Sequence, residues 1–192
     1  MEDTMQLYDK VFQNCRELFV HKTADYGTSW RVLRMISIAD QLYIKAQRIR
    51  TIQALGRQKI ADGIDGEFKA IVNYGVIGLV QLGMQAEAPT DLSLQEASTY
   101  FDEKTAHIRR IMMDKNHDYG EAWRDMSVEG ITDLILMKIL RIRQILANDG
   151  KTLVSEGIDS NLVDIVNYAL FALILRQESS NHLQEKFPEG KI

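Results

Sequence analysis

Apolar residues along this chain fall at helical spacing, and they do so in matched pairs of segments. Val11, Cys15, Leu18 and Phe19 share one face of a segment running from about Met5 to Lys22, and Phe101, Ile108, Ile111 and Met112 share one face from about Leu94 to Lys115. A second pair covers roughly Ile38 to Leu55 and Ile131 to Ala147. The later member is apolar on almost every side, as in a helix buried at the centre of a bundle. A third pair begins after Gly-Ile-Asp (Gly63 to Asp65 and Gly157 to Asp159) and carries Ile-Val-Asn-Tyr. The pattern predicts an all-α fold, a helical bundle built from two pseudo-symmetric three-helix repeats.

The pairing extends to identical residues. Lys22, Asp25, Tyr26, Gly27, Trp30, Arg31, Asp40, Lys45, Arg48, Ile49 and Arg50 return 93 positions later as Lys115, Asp118, Tyr119, Gly120, Trp123, Arg124, Asp133, Lys138, Arg141, Ile142 and Arg143. One inserted residue shifts the offset to 94, so that Gly63, Ile64, Asp65, Ile71, Val72, Asn73 and Tyr74 reappear as Gly157, Ile158, Asp159, Ile165, Val166, Asn167 and Tyr168. Residues 1–88 therefore read as the first repeat, 89–176 as the second, and 177–192 as a polar, frayed tail. Pro89, within Ala86-Glu87-Ala88-Pro89-Thr90-Asp91, marks the linker, and Ser93 with Glu96 has the form of a capping box that starts the second copy. Gly27 and Gly120 suit a helix end, and Asp65 and Asp159 read as helix N-caps.

Composition narrows the class. Two prolines and twelve glycines, with abundant Leu, Ile, Ala, Gln, Lys and Arg, favour helix throughout. A formal charge of −4 and a pI near 5.6 argue against stable duplex nucleic-acid binding, which needs a positive surface to displace counterions. Cys15 stands alone, so no internal disulfide can form. The amino-terminal Met-Glu-Asp-Thr lacks the features of a secretory signal. The apolar stretches from Phe68 to Met84 and Leu162 to Leu175 are short for a bilayer span and are interrupted by Asn73, Asp164 and Asn167. These features point to a cytoplasmic protein with no membrane span.

Candidate chemistry sits where charge interrupts the apolar helices. Asp133, Lys138 and Arg141 lie at about 0°, 140° and 80° around their helix, as do Asp40, Lys45 and Arg48 in the first copy. Charges in such a setting need partners. One reading is an internal ion-pair network with Asp164 and Asn167. Against it, Ala70 stands at the Asp164 position of the first repeat while Lys45 and Arg48 remain, and cations short of a carboxylate suit an external phosphate. Glu67 or Asp40 is an alternative source of charge.

Asp133 and Asp164 are the candidate magnesium ligands. Tyr26, Trp30, Tyr119 and Trp123 offer faces for a nucleobase, or else pack into the core. Lys22 and Lys115 suit a phosphate contact, or complement a helix dipole. Asn73 and Asn167 bond a neighbouring backbone or read a base edge. The histidines and the single cysteine have no zinc spacing, and no P-loop, nucleophile triad or dinucleotide-binding glycine pattern is present.

The succession Lys115-Asn116-His117-Asp118-Tyr119-Gly120-x-x-Trp123, Lys138-x-x-Arg141 and Asp164-Ile-Val-Asn167-Tyr168 resembles the nucleotide modification associated domain 1 family, formerly a domain of unknown function. Both halves resemble it, the second more closely, because the first replaces the Asp of Asp-x-x-Asn with Ala70. The resemblance implies a bacterial or phage protein concerned with modified or salvaged nucleotides. A more distant similarity in outline, to the all-α nucleoside triphosphate pyrophosphohydrolases of MazG type, lacks their full Glu-Glu-x-x-Glu and Glu-x-x-Asp motifs.

The leading expectation is a small-molecule nucleotide-binding protein, extending to a Mg²⁺-dependent phosphohydrolase centred on the second repeat. Its nucleotide ligands would be Lys115, Asp118, Tyr119, Trp123, Lys138, Arg141 and Asn167, with Lys22, Asp25, Tyr26, Trp30, Lys45, Arg48 and Asn73 as first-repeat counterparts. Asp133 and Asp164 would hold the metal. The competing expectation is a non-catalytic interaction module whose buried charges fix helix register. Homo-oligomerisation is compatible with both.

Overall fold

A computed structural model describes residues 4–56, 63–84, 88–152 and 156–186. The amino-terminal residues 1–3, linker residues 85–87 and the last six residues of the expected tail lie outside the described residues. Six helices follow one another: α1 (Thr4–Tyr26), α2 (Met35–Leu55), α3 (Ile64–Gly83), α4 (Leu94–Tyr119), α5 (Val128–Ala147) and α6 (Ile158–Lys186). Short 3₁₀ turns, Ser29–Val32 and Ala122–Asp125, join the first helix of each repeat to the second. No strand occurs among the described residues. The all-α duplicated bundle expected from the apolar pattern is the fold observed.

Local signals account for most helix ends. Gly27 and Gly120 adopt φ of 62° and 57° at the ends of α1 and α4, a left-handed conformation that costs glycine little. Ser93 and Glu96 form the expected capping box. Other ends differ from expectation. Gly63, not Asp65, is the N-cap of α3; Asp65 and Asp159 lie one residue inside their helices, where a negative charge complements the helix dipole. The expected frayed tail is helical from Gln177 to Lys186, continuous with α6, and Glu178 on it pairs with Arg124.

The centre of the molecule is made by α3 and α6, packed on each other and on α2 and α5. Small residues let the two central helices approach. A Cβ on Gly75 would come within 2.5 Å of Val166 Cγ2, and one on Gly78 within 3.0 Å of Leu162. Their counterparts in the second repeat are the fully buried Ala169 and Ala172. The stretch Ile158–Asn181 is long and apolar enough to cross a membrane, but 72% of its most apolar window is buried inside this bundle, which accounts for its composition.

Reciprocal ion pairs mark the pseudo-twofold relation. Arg16 meets Asp102 at 2.6 Å and its counterpart Arg109 meets Asp9 at 2.7 Å, joining α1 and α4. Arg143 meets Asp40 at 2.6 Å and its counterpart Arg50 meets Asp133 at 3.6 Å, joining α2 and α5. A residue i touching j while j′ touches i′ is the geometry of an isologous interface, here formed within one chain.

Candidate functional site

Each repeat brings the end of its first helix, the following 3₁₀ turn and the start of its third helix to one place. In the second repeat this place is filled by the protein's own side chains. Lys115 Nζ donates to Asp164 Oδ1 and Lys138 Nζ to Asp164 Oδ2, both at 2.6 Å. Lys138 and Asp164 are buried, with side chains 8% and 9% exposed. Burial works against the charge on Lys115, but the hydrogen bond and the charge of Asp164 outweigh it and hold the ammonium above its ordinary pKa. Burial, then the charge of Asp164, raises the Tyr168 hydroxyl as well. Beside this cluster the Trp123 ring stacks on Phe171, with centroids 4.3 Å apart and planes within 3°, while its Nε1 donates to Asn116 Oδ1 at 3.2 Å.

The first repeat substitutes smaller residues at the same positions. Ala70 replaces Asp164, Ile77 replaces Phe171 and Thr23 replaces Asn116. A cleft of about 260 Å³ results, bounded by Lys22, Tyr26 and Trp30 on one side and by Ala70, Asn73, Tyr74 and Ile77 on α3, with Leu18 and Phe19 behind them. Trp30 Nε1 is buried without a hydrogen-bond partner, and so is Asn73 Oδ1. Lys22 is exposed and lies within ion-pair distance of no carboxylate among the described residues.

The orphaned Asn73 oxygen has a traceable cause. In the second repeat Asn167 Oδ1 accepts from the Tyr8 hydroxyl at 2.7 Å, across the repeat boundary. The position equivalent to Tyr8 is Phe101, which stacks on Phe19 at 4.4 Å and has no hydroxyl to offer. Asn73 Nδ2 still donates to the Cys15 carbonyl at 3.0 Å. Both asparagines thus hold neighbouring helices, and of the two only Asn73, a residue lining the cleft, retains an unused acceptor, which is buried. Burial raises Tyr8 above the ordinary phenol range and pushes the Cys15 thiol up to about 12, so neither is ionised near neutral pH.

The second-helix charges are mostly consumed internally. Glu67 Oε1 pairs with Arg48, and Glu67 Oε2 lies 3.2 Å from Lys45, within ion-pair range though not in hydrogen-bond geometry. Glu67, one helical turn earlier than the Asp164 position on the equivalent helix, thus pairs with the second-helix cations of the first repeat but, unlike Asp164, with no lysine of the first helix. Arg141 is exposed and, with Arg50 and Asp133, borders an open groove on the α2–α5 face.

Asp133 and Asp164 are not brought together. The Asp133 side chain is 61% exposed and faces Arg50, whereas both oxygens of Asp164 are engaged by ammonium groups. The pair does not fit a magnesium site, because a dication at Asp164 would have to displace two lysines or sit beside them. No group of three or more His, Cys, Asp or Glu side chains with metal-binding geometry occurs among the described residues.

The other motif residues divide between scaffold and surface. Arg124 binds Glu121, Glu178 and Thr4 and lies 4.7 Å over the Trp123 ring, tying the start of α1 to α6. Arg31 binds Gln81 and the carbonyls of Ala88 and Pro89, and Thr28 bonds Thr90 and Leu92; together they clamp the linker against the first repeat. Tyr26 and Tyr119 are each 72% exposed, and Asp25 and Asp118 are exposed, Asp118 beside His117.

A model of one family, nucleotide modification associated domain 1, matches the chain twice, over residues 22–82 and 115–175. The chain belongs to that family. Each nucleotide modification associated domain begins at the lysine of the Lys-x-x-Asp-Tyr-Gly motif and ends on the third helix of its repeat, so both matches contain most of the place just described, without the first-helix residues upstream of that lysine. No curated protein and no solved structure matches the chain significantly.

Comparing identical positions alone misses what separates the two domains. Tyr8 against Phe101, Ala70 against Asp164 and Ile77 against Phe171 carry the difference, and the available signal was the non-identical positions inside otherwise repeated segments. Asp9 and Arg16, repeated as Asp102 and Arg109, were a missed signal of another kind. They are identical in both copies but lie upstream of the conspicuous motif.

Proposed function

We propose that the chain binds a nucleoside or nucleotide in the first-repeat cleft and that the second repeat serves as its scaffold. The observation that carries this reading is the cleft itself, open where Asp164 and Phe171 fill the counterpart positions, and lined by two residues, Trp30 and Asn73, each with a buried polar atom (Nε1 and Oδ1) that has no partner. Buried polar groups are nearly always hydrogen-bonded, so one donor and one acceptor without partners at an apolar cleft suit a ligand with complementary groups. A nucleobase edge has both kinds of group, and the rings of Trp30 and Tyr26 provide faces for it. The volume, a little below the roughly 300–1,000 Å³ of common small-molecule sites, suits a base or nucleoside better than a dinucleotide. Membership of a nucleotide modification associated family supports the same ligand class. No hydrolytic step is assigned, since Asp133 and Asp164 do not fit the metal it would require.

Isothermal titration of a nucleoside and nucleotide panel, with and without magnesium, tests the reading. At least one member should bind better than millimolar, and Trp30→Phe, which keeps a ring but removes the donor, should weaken it by about 5- to 30-fold. The reading fails if none binds, or if Trp30→Phe has no effect. A second reading, an interaction module with purely structural charges, is favoured for the second repeat by the sealed Lys138–Asp164 pair.

A further inference from the structure

We propose that the first-repeat cleft includes a seat for a phosphate monoester between Lys22 and Lys45, at the position the Asp164 carboxylate holds in the second repeat. The argument is one of internal mimicry. One carboxylate bridges Lys115 and Lys138, with an ammonium 2.6 Å from each oxygen. Lys22 and Lys45 occupy the same two positions of the first repeat, on equivalent helices, and Ala70 stands at the position of the bridging carboxylate; Lys22 and Ala70 line the cleft, and Lys45 lies outside its lining. Lys22 has lost the internal oxyanion that its counterpart Lys115 binds, and Lys45, which keeps only the Glu67 contact, is the second cation that would share an external one.

Glu67 does not refill that seat. It lies one turn earlier on α3, is bound by Arg48, and approaches Lys45 without hydrogen-bond geometry. Lys45 remains 30% exposed, in contrast to Lys138 at 8%. Lys22 and Ala70 both line the cleft beside Trp30 and Asn73, so an anion there would belong to the same ligand as the base. The inference rests on the proposed nucleoside reading and narrows it to a nucleoside monophosphate. A triphosphate carrying magnesium would bring a cation to a seat lined by lysines.

The test compares a nucleoside, its 5′-monophosphate and inorganic phosphate by titration calorimetry at fixed ionic strength, on the whole chain and on Ala70→Asp. The variant copies the second repeat and is expected to fold, because its carboxylate meets Lys22 and Lys45. The monophosphate should bind the native chain about 10- to 100-fold tighter than the nucleoside. Ala70→Asp should erase that preference, and Lys22→Met should reduce it. Equal binding of nucleoside and monophosphate, or a preference that survives Ala70→Asp, overturns the phosphate seat while leaving the base site standing. If neither nucleoside nor monophosphate binds but inorganic phosphate binds the native chain and not Ala70→Asp, the seat holds and the nucleoside reading falls. If none of the three binds, both are overturned.

Discussion

Lys22 and Lys115 stand at the same place in two copies of one unit, yet Lys115 ends on a buried carboxylate and Lys22 ends at a cleft. The surrounding framework is shared: the same glycine stops the first helix, the same Trp-Arg turn follows it, and the same asparagine ties the third helix to a neighbour. What differs is four side chains, Ala70 for Asp164, Ile77 for Phe171, Thr23 for Asn116 and Phe101 for Tyr8. In the second repeat each of the larger or more polar residues satisfies a partner that the first repeat leaves unsatisfied. Duplication supplied the framework twice, and divergence filled one copy and left room in the other.

The comparison breaks most readily at Asp164. Asp164→Ala leaves Lys138 buried without its counter-charge and should cost about 3–5 kcal/mol by urea denaturation. Glu67→Ala should cost clearly less, since Lys45 and Arg48 reach water. A loss below about 1 kcal/mol at Asp164 would show that the second repeat does not depend on its internal carboxylate.

Effects of about 1–2 kcal/mol are expected from two of the remaining differences. Tyr8→Phe makes the second repeat resemble the first by orphaning Asn167 Oδ1. Phe101→Tyr should do the reverse and add up to about 1 kcal/mol if its hydroxyl reaches Asn73. Phe171→Ile removes the Trp123 stack and should destabilise by a similar amount, visible also as a change in tryptophan fluorescence. Should Tyr8→Phe be neutral, the orphaned acceptor in the first repeat would lose its significance.

The exposed reciprocal pairs should matter least. Arg16→Ala and Arg109→Ala are expected to cost less than about 1 kcal/mol each, nearly equally, and to lose that effect in high salt. Unequal losses would show that the pseudo-twofold relation does not extend to their energetics. For pH, the raised pKa of Lys115 sets the sign. Its contribution is fully present below the ordinary lysine value of 10.5 and disappears as pH rises through the higher folded value. The native chain should therefore show a loss of stability above about pH 10.5 that Lys115→Met lacks.

The amino-acid sequence alone determined the six helices, the duplication, the family and the helix-ending roles of Gly27, Gly120 and the Ser93 capping box. Each is written in short-range spacing or in positional identity, and local backbone preferences act at that range. It could not determine which repeat holds a cleft. The comparison of repeated residues pointed to the second, where the Asp-x-x-Asn pattern is complete, and only packing shows that completing the pattern fills the place. Nor could spacing separate Asp133 from Asp164, because a shared sector on a helix wheel does not say which neighbour that sector faces. The pairing of Tyr8 with Asn167, 159 residues apart, was likewise a tertiary decision. Long-range partners depend on how helices are arranged around the pseudo-twofold axis, and that arrangement is set by the summed burial of α3 and α6, beyond the reach of any one segment's pattern.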